Sequence, residues 1–151
     1  MIPVPHLPEV HLPPPWSARA TRLGRHSQEL WTTGQPGGVR IQLERCAVGR
    51  FRDAYPVGLH DIEIRADDLA DHALGEMLTV LTAALGAADP RCRRLVLAAP
   101  AADGPRIAAA ETAGFRQVVD VDLGSAELTL LTWEPAWVTR CDPDLDRVPG
   151  A

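Results

Sequence analysis

Long apolar runs are missing from this 151-residue chain, and with them the stretch of about 20 apolar residues that a membrane-spanning helix needs. The N-terminus also lacks the basic region and apolar core that mark a secretory signal. There is no basic excess: 15 Lys and Arg face 20 Asp and Glu, giving a net charge of −5 and a pI near 5.5. A protein that follows nucleic-acid phosphates needs the opposite balance. Cysteine is scarce, three in all. Cys46, Cys92 and Cys141 are far apart and form no CxxC pair, which argues against a zinc site and fits reduced thiols in a cytoplasmic protein. Tyrosine occurs once, at Tyr55, and no internal repeat is visible.

Proline is not scarce, and six prolines fall within residues 1–15 (Pro3, Pro5, Pro8, Pro13, Pro14, Pro15). Such a segment cannot be a helix or a central strand. It reads as an extended arm lying along its own domain or along a partner subunit, with His6 and His11 as solvated arm residues. Trp16 to Thr33 is polar and mixed, and a short helix is expected around Arg25 to Trp31. The division is therefore an arm and lead-in at 1–33, one domain at 34–137, and a flexible acidic tail at 138–151. With 46% apolar residues the chain is long enough for a single core.

Past the turn cluster Gly34 to Gly38, Val39 to Cys46 alternates apolar and polar residues as a half-buried strand does. A second strand is expected near Val48 to Phe51. Leu59 to Arg65 alternates again: His60, Ile62 and Ile64 form the face toward the core, leaving Asp61, Glu63 and Arg65 on the other. Asp67 or Asp68 is placed to cap a long helix, in which Leu74, Met77, Leu78, Leu81 and Leu85 recur every three or four residues until Gly86. Arg94 to Ala98 reads as a buried strand. Pro105 suits the first turn of a short helix and Gly114 its end. Phe115 to Leu123 and Ala126 to Trp133 read as two strands joined at Gly124-Ser125.

The run RCRRLVLAAP…AAAETAGFRQVVDVDL, with the strand–helix order around it, resembles the C-terminal half of the GNAT N-acetyltransferases. It is most similar to the N-acyltransferases of hydroxamate-siderophore assembly. The resemblance covers about Val39 to Trp133. It implies an α/β fold with a mixed, mostly antiparallel central sheet flanked by helices, acyl-CoA as cosubstrate, and a small amine or hydroxylamine as acceptor. Gly58-Leu59-His60 matches the family's histidine, so the resemblance makes His60 the base that deprotonates the acceptor nitrogen. Of the family's acidic segment after the next strand only Pro100 remains. Ala99, Ala101 and Gly104 fill the Glu, Asp and Asn positions, and Asp103 is the one carboxylate close enough to substitute.

By the same resemblance, the diphosphate of CoA would lie on the amides at the start of the long helix, at Leu69, Ala70, Asp71, His72, Ala73 and Leu74. In the family, glycines let that backbone approach the phosphates. Here Ala70, His72 and Leu74 hold the glycine positions, Asp71 stands where a basic residue is usual, and Asp67 and Asp68 add negative charge. Two readings follow. One is an acyl-CoA-dependent N-acyltransferase of siderophore-like specialised metabolism. The other is a GNAT scaffold that no longer uses CoA and keeps a small-molecule site around His60 or a partner-stabilising role. The arm and the last hairpin would suit a homodimer. Cys92 beside Arg91, Arg93 and Arg94 reads as an inert thiol, Ser125 as turn chemistry, and Trp133 and Trp137 as packing residues.

Overall fold

A computed structural model describes residues 3–34 and 38–138; Cys141 and nearly all of the acidic tail lie outside the described residues. Seven strands form one sheet: β1 (Ser17–Leu23), β2 (Ser27–Thr33), β3 (Val39–Arg45), β4 (Ile62–Arg65), β5 (Leu95–Pro100), β6 (Arg116–Asp122) and β7 (Glu127–Trp133). Their order across the sheet is β1-β2-β3-β4-β5-β7-β6, and every pair is antiparallel except β4 with β5. The parallel pair is joined by the long helix α1 (Asp71–Ala88), and α2 (Gly104–Thr112) connects β5 to β6. The fold class is thus the expected one: a mostly antiparallel mixed sheet flanked by helices.

The sheet begins earlier than the sequence suggested. The segment Arg25 to Trp31 is no helix: Gly24 to His26 is a tight turn, and β1 and β2 pair from Ser17↔Thr33 to Leu23↔Gln28. The boundary placed at Gly34 therefore cuts a hairpin from its sheet. No strand forms at Val48 to Phe51 either. Cys46–Val48 is one turn of 3₁₀ helix, and turns follow it.

Both helices pack on one face of the sheet. Leu74, Met77, Leu78, Leu81 and Leu85 of α1 meet Ile41, Leu43, Ile62, Ile64, Leu95, Leu97 and Leu131, with Ile107 and Ala110 of α2 closing the cluster. This is the face assigned to Ile62 and Ile64 by alternation. Helix α1 runs past Gly86 to Ala88; a Cβ at Gly86 would meet the Trp133 ring at 3.7 Å, an ordinary contact. Gly75 is where α2 crosses closely; a Cβ there would lie 2.9 Å from Thr112 Oγ1 and 3.2 Å from the Ala109 carbonyl oxygen. Gly114, at φ +97°, supplies the left-handed turn after α2. Gly124, at φ +85°, opens the two-residue β6–β7 turn that Leu123 and Ala126 close.

The other face is covered only in part. Residues 46–60 lie over β5, β6 and β7, where Cys46 and Phe51 pack with Val96 and Leu130 against Tyr55, Val57 and Val121. A turn as short as Gly24 to His26 leaves no room for a helix between β1 and β2, and this face stays open from β1 to β3 and at the Arg65 end of β4, while Glu63 is buried beneath Arg50. The arm packs on its own domain, on the helix side: Val10 is buried in the main core with Leu7 and Leu12 against it. Main-chain carbonyls of the arm accept from His26 (Val4), Gln28 (Pro8) and Arg45 (Pro5 and His6).

Candidate functional site

Two ends of the β4–β5 pair and one face of the sheet hold the chemistry. Because β4 and β5 are parallel, α1 starts at the end where β4 stops. Their ladder ends at Ile64↔Leu97 while β5 continues to Pro100, so the two strands part beside the start of α1. The helix is preceded by Ala70, which offers no side-chain cap. Asp67 and Asp68 therefore do not cap it; Asp68 instead meets Arg40 at 3.2 Å. The amides of Ala70, Asp71 and His72 donate to no acceptor among the described residues. An uncapped N-terminus of this length presents positive potential and free donors.

The remaining groups at this mouth are committed. The side chains of Leu69, Ala73 and Leu74 lie in the core; Leu74, at a glycine position by the resemblance, turns inward and does not lie over the amides. The amides of Ala73 and Leu74 donate to the Ala70 carbonyl. Arg106, a buried residue of α2, donates to the carbonyls of Ala66 (2.7 Å) and Leu69 (2.9 Å) and pairs with Asp71 at 3.2 Å. Nothing in the sequence marked Arg106, because its partners lie 35 to 40 residues away.

His60 is at the opposite end. Strand β4 begins only at Ile62, so His60 belongs to the turn before it, in which the Asp61 amide donates to the Gly58 carbonyl. Its Nδ1 lies 3.2 Å from Asp89 Oδ2, and Arg45 donates to the same oxygen at 2.8 Å. Burial pulls the Asp89 carboxyl upward, but the hydrogen bonds from Arg45 and His60 outweigh it and hold the group below the usual carboxylate range. Asp103, the carboxylate that could stand in for the family's acidic segment, is not near His60. Asp103 follows β5, at the far end of the parallel pair, and its carboxylate caps α2 by accepting from the Arg106 amide at 3.1 Å.

The open face carries a row that sequence alone did not assemble. Registers Arg22↔Glu29, Glu29↔Gln42 and Gln42↔Arg65 align these four side chains across β1 to β4. Glu44 stands opposite Glu63 in the next row, with Ser27 beyond it. Glu63 is buried and accepts from Arg50 (2.8 Å) and Arg65 (3.2 Å), while Arg65 also reaches Glu44 at 3.4 Å. Alternation had placed Glu63 and Arg65 on the face away from the helices, which is correct, but not under the cover that residues 46–60 provide. Arg22, Ser27, Glu29, Gln42, Glu44 and Arg65 line a groove of about 220 Å³. A smaller hollow of about 70 Å³ shares Gln42 and Arg65 with it and extends to Asp67 and Asp68, just before α1.

The other candidates scatter. Arg93 lies over Trp137 and Arg94 over Tyr55, so the Arg91, Arg93 and Arg94 side chains do not gather on an anion. Burial pushes the Cys92 thiol up to about 12 and that of Cys46 higher still, consistent with inert thiols. Exposed His11 meets only Glu9, and His6 sets its ring against His26. Among the described residues no helix is long and apolar enough to cross a membrane.

No protein-family model and no curated protein matches the sequence. Solved structures do match in shape. An uncharacterised Bacillus halodurans protein superposes with a TM-score of 0.66 at 14% identity, covering 83% of this chain and 68% of its own. The aminoglycoside acetyltransferase AAC(6')-Ib in complex with coenzyme A gives 0.61 at 14% identity, over 76% and 70%. The GNAT domain of an S. lividans PAT protein gives 0.50 at 15% identity, over 73% and 61%. At such identities the likeness establishes the fold: this chain has the architecture of the GNAT acetyltransferases.

Proposed function

We propose that this protein is a GNAT-type N-acyltransferase for a small amine or hydroxylamine, with acyl-CoA at the mouth of α1 and the acceptor in the open-face groove. One observation carries the reading: the groove and the hollow just before α1 share the walls Gln42 and Arg65, and that hollow extends to Asp67 and Asp68, so a ligand on the sheet face lies close to the start of α1. A neighbour in shape that holds coenzyme A, AAC(6')-Ib, supports it. The siderophore-like run Arg91 to Leu123 is what supports a hydroxylamine among the acceptors.

The residues at the mouth fit a diphosphate through their main chain. The free amides of Ala70, Asp71 and His72 would hold it, helped by the helix potential. Their side chains oppose it. Asp71 is offset by Arg106 and Asp68 by Arg40, whereas Asp67 has no cationic partner among the described residues. Acyl-CoA, when bound, supplies the activated acyl group. The chain must then orient the acceptor and take its proton. His60 is at the wrong end of β4 for this. Glu44, half-exposed in the groove beside Arg65, is the carboxylate in position to accept the proton. Glu63, buried between two arginines, keeps Arg65 aimed along the row.

The acid collar of Asp67, Asp68 and Asp71 favours a second reading in which the scaffold has given up CoA. Calorimetric titration with acetyl-CoA and longer acyl-CoAs separates the two. Saturable binding, with Glu44→Gln removing turnover but not CoA affinity, supports the transferase. Absence of heat with every thioester, from protein shown to be folded, leaves the CoA-free scaffold.

A further inference from the structure

The groove holds more charge than the fold uses. Glu29 accepts from the Thr21 hydroxyl at 3.1 Å and has Arg40 at 3.5 Å; among the described residues Glu44 has only Arg65, at 3.4 Å. On the opposite rim Arg22 is exposed and makes no hydrogen bond or ion pair among the described residues. Arg65 is largely committed to Glu63 and Glu44. What remains for a ligand is therefore one unspent guanidinium and two incompletely satisfied carboxylates, with the Ser27 hydroxyl beside Glu44.

Their order is fixed by register. Arg22 stands directly across from Glu29, and Glu44 lies diagonally beyond, two residues along β3 from the Glu29 partner Gln42. Directly opposed side chains in a sheet have Cβ atoms about 5 Å apart and diagonal ones about 7–8 Å. A molecule carrying both charges within a few ångströms matches that spacing. A purely anionic ligand would face two carboxylates, and a purely cationic one would leave Arg22 unpaired.

We propose that the open-face groove of β1–β4 binds a zwitterion of amino-acid size, its carboxylate on Arg22 and its cationic nitrogen between Glu29 and Glu44. The acyltransferase reading supplies the fate of that nitrogen, but binding itself does not depend on it. The volume of about 220 Å³ suits a ligand of this size and not an oligosaccharide or a peptide.

The test is a thermal-shift and calorimetric comparison of L-alanine, β-alanine and L-ornithine with ethylamine and propionate, the last two each carrying one charge. At least one zwitterion should bind ten-fold or more tightly than both single-charge probes. Arg22→Gln and Glu44→Gln should each weaken it by ten-fold or more. Both side chains are at least partly exposed, so folding is checked by circular dichroism and an unchanged melting temperature without ligand. Equal binding of ethylamine or propionate, zwitterion affinity unmoved by either substitution, or no binding by any of the three zwitterions would each overturn the assignment. Acetyl-CoA is titrated separately. Zwitterion binding without CoA binding would remove the transferase and keep the site; the converse would keep CoA and remove the site.

Discussion

At Asp61, charge and surroundings disagree. The residue is fully buried; Oδ2 accepts from the Tyr55 hydroxyl and the Gly58 amide, both at 2.9 Å, while Oδ1 has no hydrogen-bond partner among the described residues. Desolvation dominates and raises its pKa above the ordinary 3.8, despite those two donors and the nearby Arg94. A carboxyl whose folded value is raised holds its proton better in the folded state. Its contribution therefore favours folding at low pH and is lost as pH climbs from 3.8 through the raised folded value. Asp61→Asn should remove that loss. Urea denaturation should find the variant gaining on wild type as pH rises above 3.8; a pH-independent difference would mean the buried carboxyl does not titrate as argued. The same burial governs the cysteines. Cys46 and Cys92 should resist a thiol reagent in native protein and react only in denaturant, and prompt labelling of either would contradict their surroundings.

At the scale of elements, α1 and α2 act as one unit because Arg106 joins them through the loop before α1. Replacing Asp71 with Asn keeps the helix start and removes one charge from the mouth, freeing part of Arg106 for an anion. Acetyl-CoA affinity should rise several-fold, read by calorimetry at fixed ionic strength, and unchanged affinity would place the diphosphate elsewhere. Arg106→Gln should instead cost about 1.5–3 kcal/mol in stability, since charge-assisted bonds to two buried carbonyls are lost. The parts of this unit that could be read from sequence are those set by short-range periodicity: the α1 stripe, the Pro105 and Gly114 ends of α2, and the Gly124-Ser125 hairpin. The β1–β2 hairpin was hidden because Ser27–Thr33 buries only Leu30 and Thr32; Gln28 beside them meets the arm, and Ser27, Glu29, Trp31 and Thr33 face an open sheet surface where polarity is no penalty. The candidate site was less legible for a related reason. The row Arg22, Glu29, Gln42, Arg65 exists only once three registers are fixed, and His60 was assigned to a strand that starts two residues later.

Across the whole molecule, one side chain ties together pieces that contact order alone would leave loose. All 15 basic residues of the chain are arginines, and Arg45, 2% exposed, spends its fork on four partners. It donates to the Pro5 and His6 carbonyls of the arm, to the His60 carbonyl before β4, and to Asp89 after α1. A planar guanidinium suits such divergent acceptors, whereas a lysine would satisfy fewer of them. Among the described residues the arm has little else polar to hold it, only His26 and Gln28 on two further carbonyls. Arg45→Met should therefore cost about 3–5 kcal/mol, the range for removing one partner of a buried ion pair. It should also free the arm before the rest of the domain. Hydrogen exchange and limited proteolysis would register this as loss of protection at residues 3–12 while β3 to β7 stay protected. The pH dependence gives an independent check. Asp89, held below 3.8, adds stability at neutral pH that is lost as pH falls through its folded value. Wild type should thus lose stability toward acid with a slope that Arg45→Met flattens. If the variant kept both the slope and the arm's protection, the arm would be held by its prolines and Val10 alone.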